Sequence, residues 1–414
     1  MGSWGVSENR STARRRFGRP FRVVWLGQLV SQLGSGVSGF GVAVWVFDET
    51  GSFVWLGVLI ATISAAGVAA APFSGLVDRF DRRSVMLCAD GVAATTTLVA
   101  LLVWWLVGLE PWQLAIASVI GAFAASFQGA AYGAAVPDLV EPDLIDRANG
   151  LIQLGPAASM VLGPAGASLL FAGAGIGAVL AVDLVSFLVA VATLVSVRFR
   201  SRPIAADDDD RSIATAARWV MREGRPFAWL IGFAAVANLV LGVFSVVVLG
   251  LAADLGGAAR AGWPATAGGA TMVAATLVIG RRGLPARRVR ALAMGSMWFG
   301  AFVAAAGLRS SFVLLLVGIA LAFAAVPVVQ TAMNTLFNEG VPRAMQGRVI
   351  GLRGAVGAGT GPLGSLIAGP IAVWSATGAL LVTGGVLIVL GAAMVGSQTL
   401  AALDAGTTPE PTAP

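Results

Sequence analysis

Apolar residues along this chain come in long unbroken blocks, separated by short segments that hold nearly all the charge. Neither the strict alternation of a half-buried strand nor the one-sided stripe of a soluble amphipathic helix describes them. About twelve blocks occur, near 23–47, 53–73, 85–109, 112–136, 150–173, 175–197, 227–252, 263–279, 291–308, 312–337, 349–369 and 374–396. Runs of this length are what a helix needs to cross the hydrocarbon core of a bilayer. The pattern predicts an all-α membrane protein with twelve transmembrane helices, numbered below as spans 1 to 12. A polar loop is expected from Pro137 to Asn149, and Ile213–Met221 reads as a short amphipathic helix on the membrane surface.

Charge orients the ladder. Of the 27 positive residues, 25 fall before span 1, in the 2–3, 4–5 and 8–9 loops, in the 6–7 segment, or about the start of span 11. Arg260 and Arg309 fall on the other side. Positive charge accumulates on cytoplasmic loops, so both termini are expected in the cytoplasm. The triplet Arg14-Arg15-Arg16 then reads as the positive flank of span 1, with no removable leader. The expected layout is a cytoplasmic tail at 1–22, a six-helix bundle at 23–197, a cytoplasmic linker at 198–225, a second six-helix bundle at 226–396, and a disordered cytoplasmic tail at 397–414.

The two bundles read as a repeat. Asp138, Arg147 and Gly150-Leu151 recur as Glu339, Arg348 and Gly351-Leu352, each 201 residues later. Gly163-Pro164 in span 5 recurs as Gly361-Pro362 in span 11, 198 residues later. Spans 5 and 11 start on the same side, so the repeat is parallel, an arrangement used by secondary transporters.

Composition narrows the chemistry. The chain is 57% hydrophobic and 12% charged, too little polar surface for a water-soluble globule. Every basic residue is Arg, and His is absent. Without Lys there is no Walker A loop and no Schiff base; without His there is no HExxH zinc site or imidazole base. The single Cys88 excludes an intramolecular disulfide. No nucleophile–base pair points to an enzyme, no metal site or cofactor is indicated, and the Arg residues form no nucleic-acid stripe. Proton chemistry falls to carboxylates.

The segment Gly75-Leu76-Val77-Asp78-Arg79-Phe80-Asp81-Arg82-Arg83 joins spans 2 and 3. It resembles the signature loop of the major facilitator superfamily, a Gly followed by Asp-Arg and a basic pair. Leu26-Gly27-Gln28-Leu29-Val30-Ser31-Gln32-Leu33-Gly34, Phe47-Asp48-Glu49-Thr50-Gly51-Ser52 and Asp183-Leu184-Val185-Ser186-Phe187 are similar to its macrolide-efflux and enterobactin-exporter-like branch. Two departures stand out. Ser74 holds the usual place of the signature Gly, with Gly75 one residue later. Ala125 stands where many drug/proton antiporters carry an Arg before Gln128-Gly129, so the usual antiport arrangement is incomplete.

The resemblance implies two parallel-repeat six-helix bundles in the major facilitator fold, alternating access, and roles for particular residues. Gly75, Asp78, Arg79, Asp81, Arg82, Arg83 and Asp90 would form a cytoplasmic gate, with the Arg residues paired to Asp81, Asp90 or lipid phosphate; otherwise the Arg residues only set topology. Spans 1, 4, 7 and 10 would line the cavity. Their polar residues are Gln28, Gln32, Gln128, Tyr132, Asn238, Gln330 and Asn334, which otherwise serve as interhelical hydrogen bonds. Gly163, Pro164, Gly361 and Pro362 are expected hinges or ordinary close packing. Asp183, about two turns inside span 6, is the candidate proton carrier; the alternative is a structural hydrogen bond.

The expected activity is export of a small amphiphilic compound, such as a drug or natural product, by a monomer in the bacterial inner membrane, driven by protons. A uniporter, an importer or a transport-inactive ligand sensor of the same fold is the alternative.

Overall fold

The computed structural model describes residues 17–70, 73, 80–199, 213–222, 224–285 and 287–404. Ten helical segments among these residues are long and apolar enough to cross a membrane. Two of them, Arg147–Ser196 and Met345–Gly396, are 50 and 52 residues long, and each holds two spans. The first divides at Gly175 (φ 68°, ψ −164°), a left-handed conformation that only glycine adopts cheaply; the second divides at Ser375 in an extended conformation. The result is twelve spans, with breaks where the apolar blocks predict them. Helices suit this setting because hydrocarbon offers no partner for a free backbone N–H or C=O.

Spans 1 to 4 are Arg19–Thr50, Phe53–Ala70, Arg82–Leu106 and Pro111–Leu139. Spans 5 and 6 share Leu154–Ser196; spans 7, 8 and 9 are Arg225–Gly256, Trp263–Arg282 and Arg288–Ala306. Span 10 is broken into Phe312–Phe323 and Val326–Gly340, whereas the apolar run predicts one continuous helix. Pro327 lies in the first turn of the second piece and cannot donate the hydrogen bond that would bridge the gap. Spans 11 and 12 share Arg343–Gly396. Successive spans alternate in direction. One end of the bundle, here the near end, therefore carries the described parts of both terminal segments and most of the arginines.

Three polar segments depart from expectation. The 4–5 connection is largely helical: span 4 continues to Leu139, and Pro142–Leu144 and Ile145–Ile152 follow. Burial of Leu144 and Ala148 and the stacking of the Arg147 guanidinium 5.1 Å above the Phe17 ring organise it. The helix Ile213–Arg222 forms as predicted, but its apolar face rests on protein: Ala216 and Val220 are buried, and Trp219 packs 6.0 Å from Phe227. The tail is ordered through a helix at Gln398–Asp404. Leu400 is fully buried, and the Asp404 carboxylate accepts from the backbone N–H groups of Val289 (2.8 Å) and Arg290 (3.3 Å), capping span 9.

Small residues bring the helices together, as expected where lipid supplies no hydrophobic drive between spans. Gly27, Gly34 and Gly41 of span 1 recur every seventh residue and face Thr193, Ser186 and Val179 of span 6 so closely that a Cβ would collide. The two six-span halves meet at the far end. Gly57 of span 2 abuts the Ser365 carbonyl of span 11, and Gly369 abuts Val54. Gly262, at the start of span 8, abuts the Pro164 carbonyl of span 5, and its N–H donates to Ser168 Oγ at 2.8 Å. Phe47, Phe53 and Gly250 close the remaining corner, with the two rings 5.0 Å apart.

Candidate functional site: a carboxylate-lined cavity in the first half

The glycine seam on span 1 decides which of its faces is free. With Gly27, Gly34 and Gly41 turned to span 6, the residues Gln28, Ser31, Gln32, Ser35 and Ser38 line a cavity of about 450 Å³. Each lies three or four residues from another of the set, so they share one face of a helix. Opposite them stand Asp90 and Thr97 of span 3, Gln128 of span 4, Ser159 of span 5 and Asp183 of span 6. Alanine, glycine and aliphatic side chains complete the wall.

Two polar networks cross this cavity. Gln28 Nε2 donates to Asp90 Oδ2 at 3.0 Å, while Gln28 Oε1 accepts from Gln128 Nε2. The amide thus links spans 4, 1 and 3. Asp183 accepts from Ser35 Oγ and from Thr97 Oγ1, each at 3.4 Å, and the Ser38 hydroxyl faces the same carboxylate. Asp90 and Asp183 are 3% and 5% exposed. No arginine makes an ion pair with either among the described residues.

A second cavity of about 410 Å³ adjoins the first, with Gly39 and Ser159 bordering both. It lies at the seam between the halves. Phe40 of span 1 and Pro164 of span 5 face Phe244 of span 7, Ile319 and Phe323 of span 10 there. The broken turn after Phe323 leaves that ring beside Phe244 (6.1 Å) and Phe299 (5.9 Å). The seam is therefore apolar and aromatic, where the first cavity also carries carboxylates, amides and hydroxyls.

The structure gathers some of the sequence candidates and disperses others. Gln28, Gln32, Gln128 and Asp183 share the first cavity. Tyr132 does not line it; the residue is buried among Met86, Val136 and neighbours, and its hydroxyl has no hydrogen-bond partner among the described residues. Asn238 donates to the Ala234 carbonyl of its own helix (2.8 Å) and lines neither cavity. Gln330 and Asn334 are exposed, and Asn334 accepts from Arg353 at 3.0 Å.

The gate residues also separate. Gly75, Asp78 and Arg79 lie outside the described residues. Asp81 caps span 3 through the Ser84 N–H and hydroxyl, at 3.0 and 2.8 Å. Arg82 pairs with Asp138 of span 4 at 2.9 Å, and Arg83 donates to the Leu194 and Val195 carbonyls at the end of span 6. These contacts tie the first half to itself, where Asp81, Asp90 or lipid were the expected partners. Asp90 is a cavity residue: nine positions along span 3 from Asp81 is about 13 Å of helix.

The backbone stays helical through Gly163-Pro164 and Gly361-Pro362. Gly163 allows span 5 to cross span 1, since a Cβ there would lie 2.7 Å from the Gly36 carbonyl oxygen; at Gly361 it is the carbonyl oxygen that lies against Gly242 of span 7.

Residues 24–249 match the sequence profile of the Major Facilitator Superfamily, more than half of the chain. The chain belongs to the major facilitator superfamily. Within it, the chain is 23% identical over 355 residues to macrolide efflux protein A of Streptococcus pyogenes, covering 84% of this chain and 88% of that one. A macrolide efflux protein A of Enterococcus faecalis is 30% identical over 123 residues, 30% of this chain and 38% of the other. The chain is thus a multi-pass membrane transporter similar to the macrolide-efflux branch.

Solved structures repeat the fold. The nucleoside transporter NupG superposes with a TM-score of 0.69 at 13% identity, covering 92% of this chain and 99% of that one. A bacterial homologue of the iron transporter ferroportin, in an inward-facing state, gives 0.70 at 17% identity, covering 92% and 99%. At such identities the likeness concerns the fold alone.

Sequence reasoning missed Ser31, Ser35, Ser38, Thr97 and Ser159 as cavity residues. A signal was present for span 1: the heptad of glycines identifies the packed face, and the serines lie off it.

Proposed function

We propose that this protein is a secondary exporter of small amphiphilic compounds, macrolide-like molecules among them, exchanged for protons by alternating access. The observation that carries the reading is a cavity with two buried carboxylates, adjoining an apolar seam between halves that are closed at the far end. Similarity to macrolide efflux protein A over most of the chain supports the cargo class.

In this reading the near end, rich in arginine, is cytoplasmic, both termini are inside, and the arrangement described is inward-facing. Bundles 23–197 and 226–396 rock about the midplane, joined by the linker 198–225, and a monomer suffices. Opening to the outside separates span 2 from span 11 and span 5 from span 8, breaking the Gly262–Ser168 hydrogen bond. Asp183 carries the proton: it is the acid that shares its carboxylate with hydroxyls of two other spans, so its protonation loosens contacts to both. Gly163-Pro164 and Gly361-Pro362 are where spans 5 and 11 flex.

Everted inner-membrane vesicles with an acidic interior test this directly. A radiolabelled macrolide should accumulate, and a protonophore should release it. Accumulation only in right-side-out vesicles means import; saturable binding without flux means a sensor.

A further inference from the structure

We propose that the near end of the second half binds an anionic phospholipid, its phosphate held by Arg281, Arg282, Arg287 and Arg290 and its acyl chains laid along spans 8 and 9. The inference goes beyond the export reading and rests on neither its cargo nor its direction.

The 8–9 connection carries five arginines between positions 281 and 290 and no carboxylate. Span 8 ends at Gly283 (φ 70°), and the Arg288 guanidinium donates to the Leu284 and Pro285 carbonyls at 3.0 and 2.8 Å, which closes the turn. The other four arginines are exposed, and their guanidinium groups have no ion pair or hydrogen bond among the described residues. Asp404 lies at the same turn, but its carboxylate is spent on the backbone N–H groups of Val289 and Arg290. The first half differs: there Arg82 has Asp138, and Arg83 has the Leu194 and Val195 carbonyls. Four like charges in ten residues repel one another. A phosphate relieves that repulsion, and its oxygens fit the planar guanidinium fork.

The flanking helices say what carries the phosphate. On span 8, Arg281, Leu277 and Val273 follow at four-residue steps; on span 9, Arg290, Met294 and Trp298 do the same. Each trio lies along one helix face, and all six side chains are exposed. Both stripes therefore start with a cation and run inward over hydrocarbon. Their length, eight residues, is about 12 Å of helix, within the depth of one leaflet, about 15 Å. Span 10 lies between the two helices: its Ala320 carbonyl accepts from Thr271 Oγ1 of span 8 at 2.5 Å, and its Leu321 carbonyl from Trp298 Nε1 of span 9 at 2.8 Å. The Leu321 side chain is itself exposed. The result is a trough with apolar walls and floor and a basic mouth. A soluble anion would meet only the mouth; a lipid with a negative headgroup matches its whole length.

The test is equilibrium binding of radiolabelled dioleoylphosphatidylglycerol to the purified full chain in neutral detergent. It should bind saturably, and zwitterionic dioleoylphosphatidylcholine, with the same chains, should not. Inorganic phosphate should displace it no better than chloride at equal ionic strength, which separates a lipid from a free anion. Changing Arg281, Arg282, Arg287 and Arg290 together to Gln should weaken binding at least about tenfold. Removing four other exposed arginines of the near end, Arg19, Arg22, Arg218 and Arg222, should leave affinity within about twofold. Changing Asp207, Asp208, Asp209 and Asp210 to Asn should leave it unchanged. The comparison of the two lipids on the unaltered protein stands even if a variant fails to fold. Equal binding of the zwitterionic lipid, displacement by phosphate, unchanged affinity in the first Arg variant, or an equal loss in the second overturns the inference. Tighter binding in the Asn variant overturns it too, since the arginines would then serve the linker.

Discussion

The two halves share a chain direction and a helix arrangement, yet they use polar residues in opposite ways. In the first half, Gln28, Gln128, Asp90 and Asp183 turn into one cavity, and hydrogen bonds cross it from span to span. In the second, Asn238 bonds its own helix, Asn334 meets Arg353 on an exposed face, and the wall offered to the cavity is Phe244, Ile319 and Phe323. A repeated fold therefore does not bring repeated chemistry. One bundle carries the carboxylates and amides of the cavity; the other offers an apolar wall, and both contribute to the far-end seal.

The halves also fasten their near ends differently, and this gives the largest expected effect. Arg82→Ala removes a mostly buried ion pair and leaves Asp138 without its cation. A loss of about 3 kcal/mol in stability is expected, read as a lowered unfolding temperature in detergent. In the second half the corresponding fastening is the Asp404 cap on span 9, so Asp404→Ala should cost only about 1 kcal/mol. Equal losses would erase the contrast.

Between these two lies the seal. Gly262→Val places a side chain against the Pro164 carbonyl and Ser168. Overpacking of about 2 kcal/mol should shift the population toward the outward-open arrangement. Thiol labelling of a cysteine introduced at Ser365, a buried seam residue, in a Cys88→Ser background, should rise. Asp183→Asn sharpens the difference in chemistry: proton-driven accumulation should fall at least about tenfold, about 1.4 kcal/mol. The double variant Gln330→Ala, Asn334→Ala should stay within about twofold of wild type. Smallest of all, Tyr132→Phe removes a buried hydroxyl that has no partner among the described residues and should leave stability unchanged or raise it by under about 1 kcal/mol.

The spans and their order were legible in the sequence because a bilayer imposes length and apolarity on every helix, and the Gly173–Gly175 break carries its own glycine. The interruption of span 10 was legible only locally, at Pro327, and the apolar run masked it. Rotation of each helix about its axis was harder. Gln28 with Gln32 and Gln330 with Asn334 have the same spacing, yet only the first pair faces the cavity, since spacing defines a face without saying what it meets. Asp90 was misassigned because nearness in sequence to the Arg82-Arg83 pair suggested a loop partner, whereas helical rise carries it roughly 11 Å away. The ordered helix at 398–404 was missed because a cap such as Asp404 acts on residues more than a hundred positions earlier.

The division of labour between the halves can be measured in one experiment, equilibrium binding of a radiolabelled macrolide to two purified variants. One carries Gln28→Ala and Gln128→Ala; the other carries Asn238→Ala, Gln330→Ala and Asn334→Ala. The first should bind about tenfold more weakly than wild type, and the second within about twofold. Weak binding by the second variant with retained binding by the first would contradict the account.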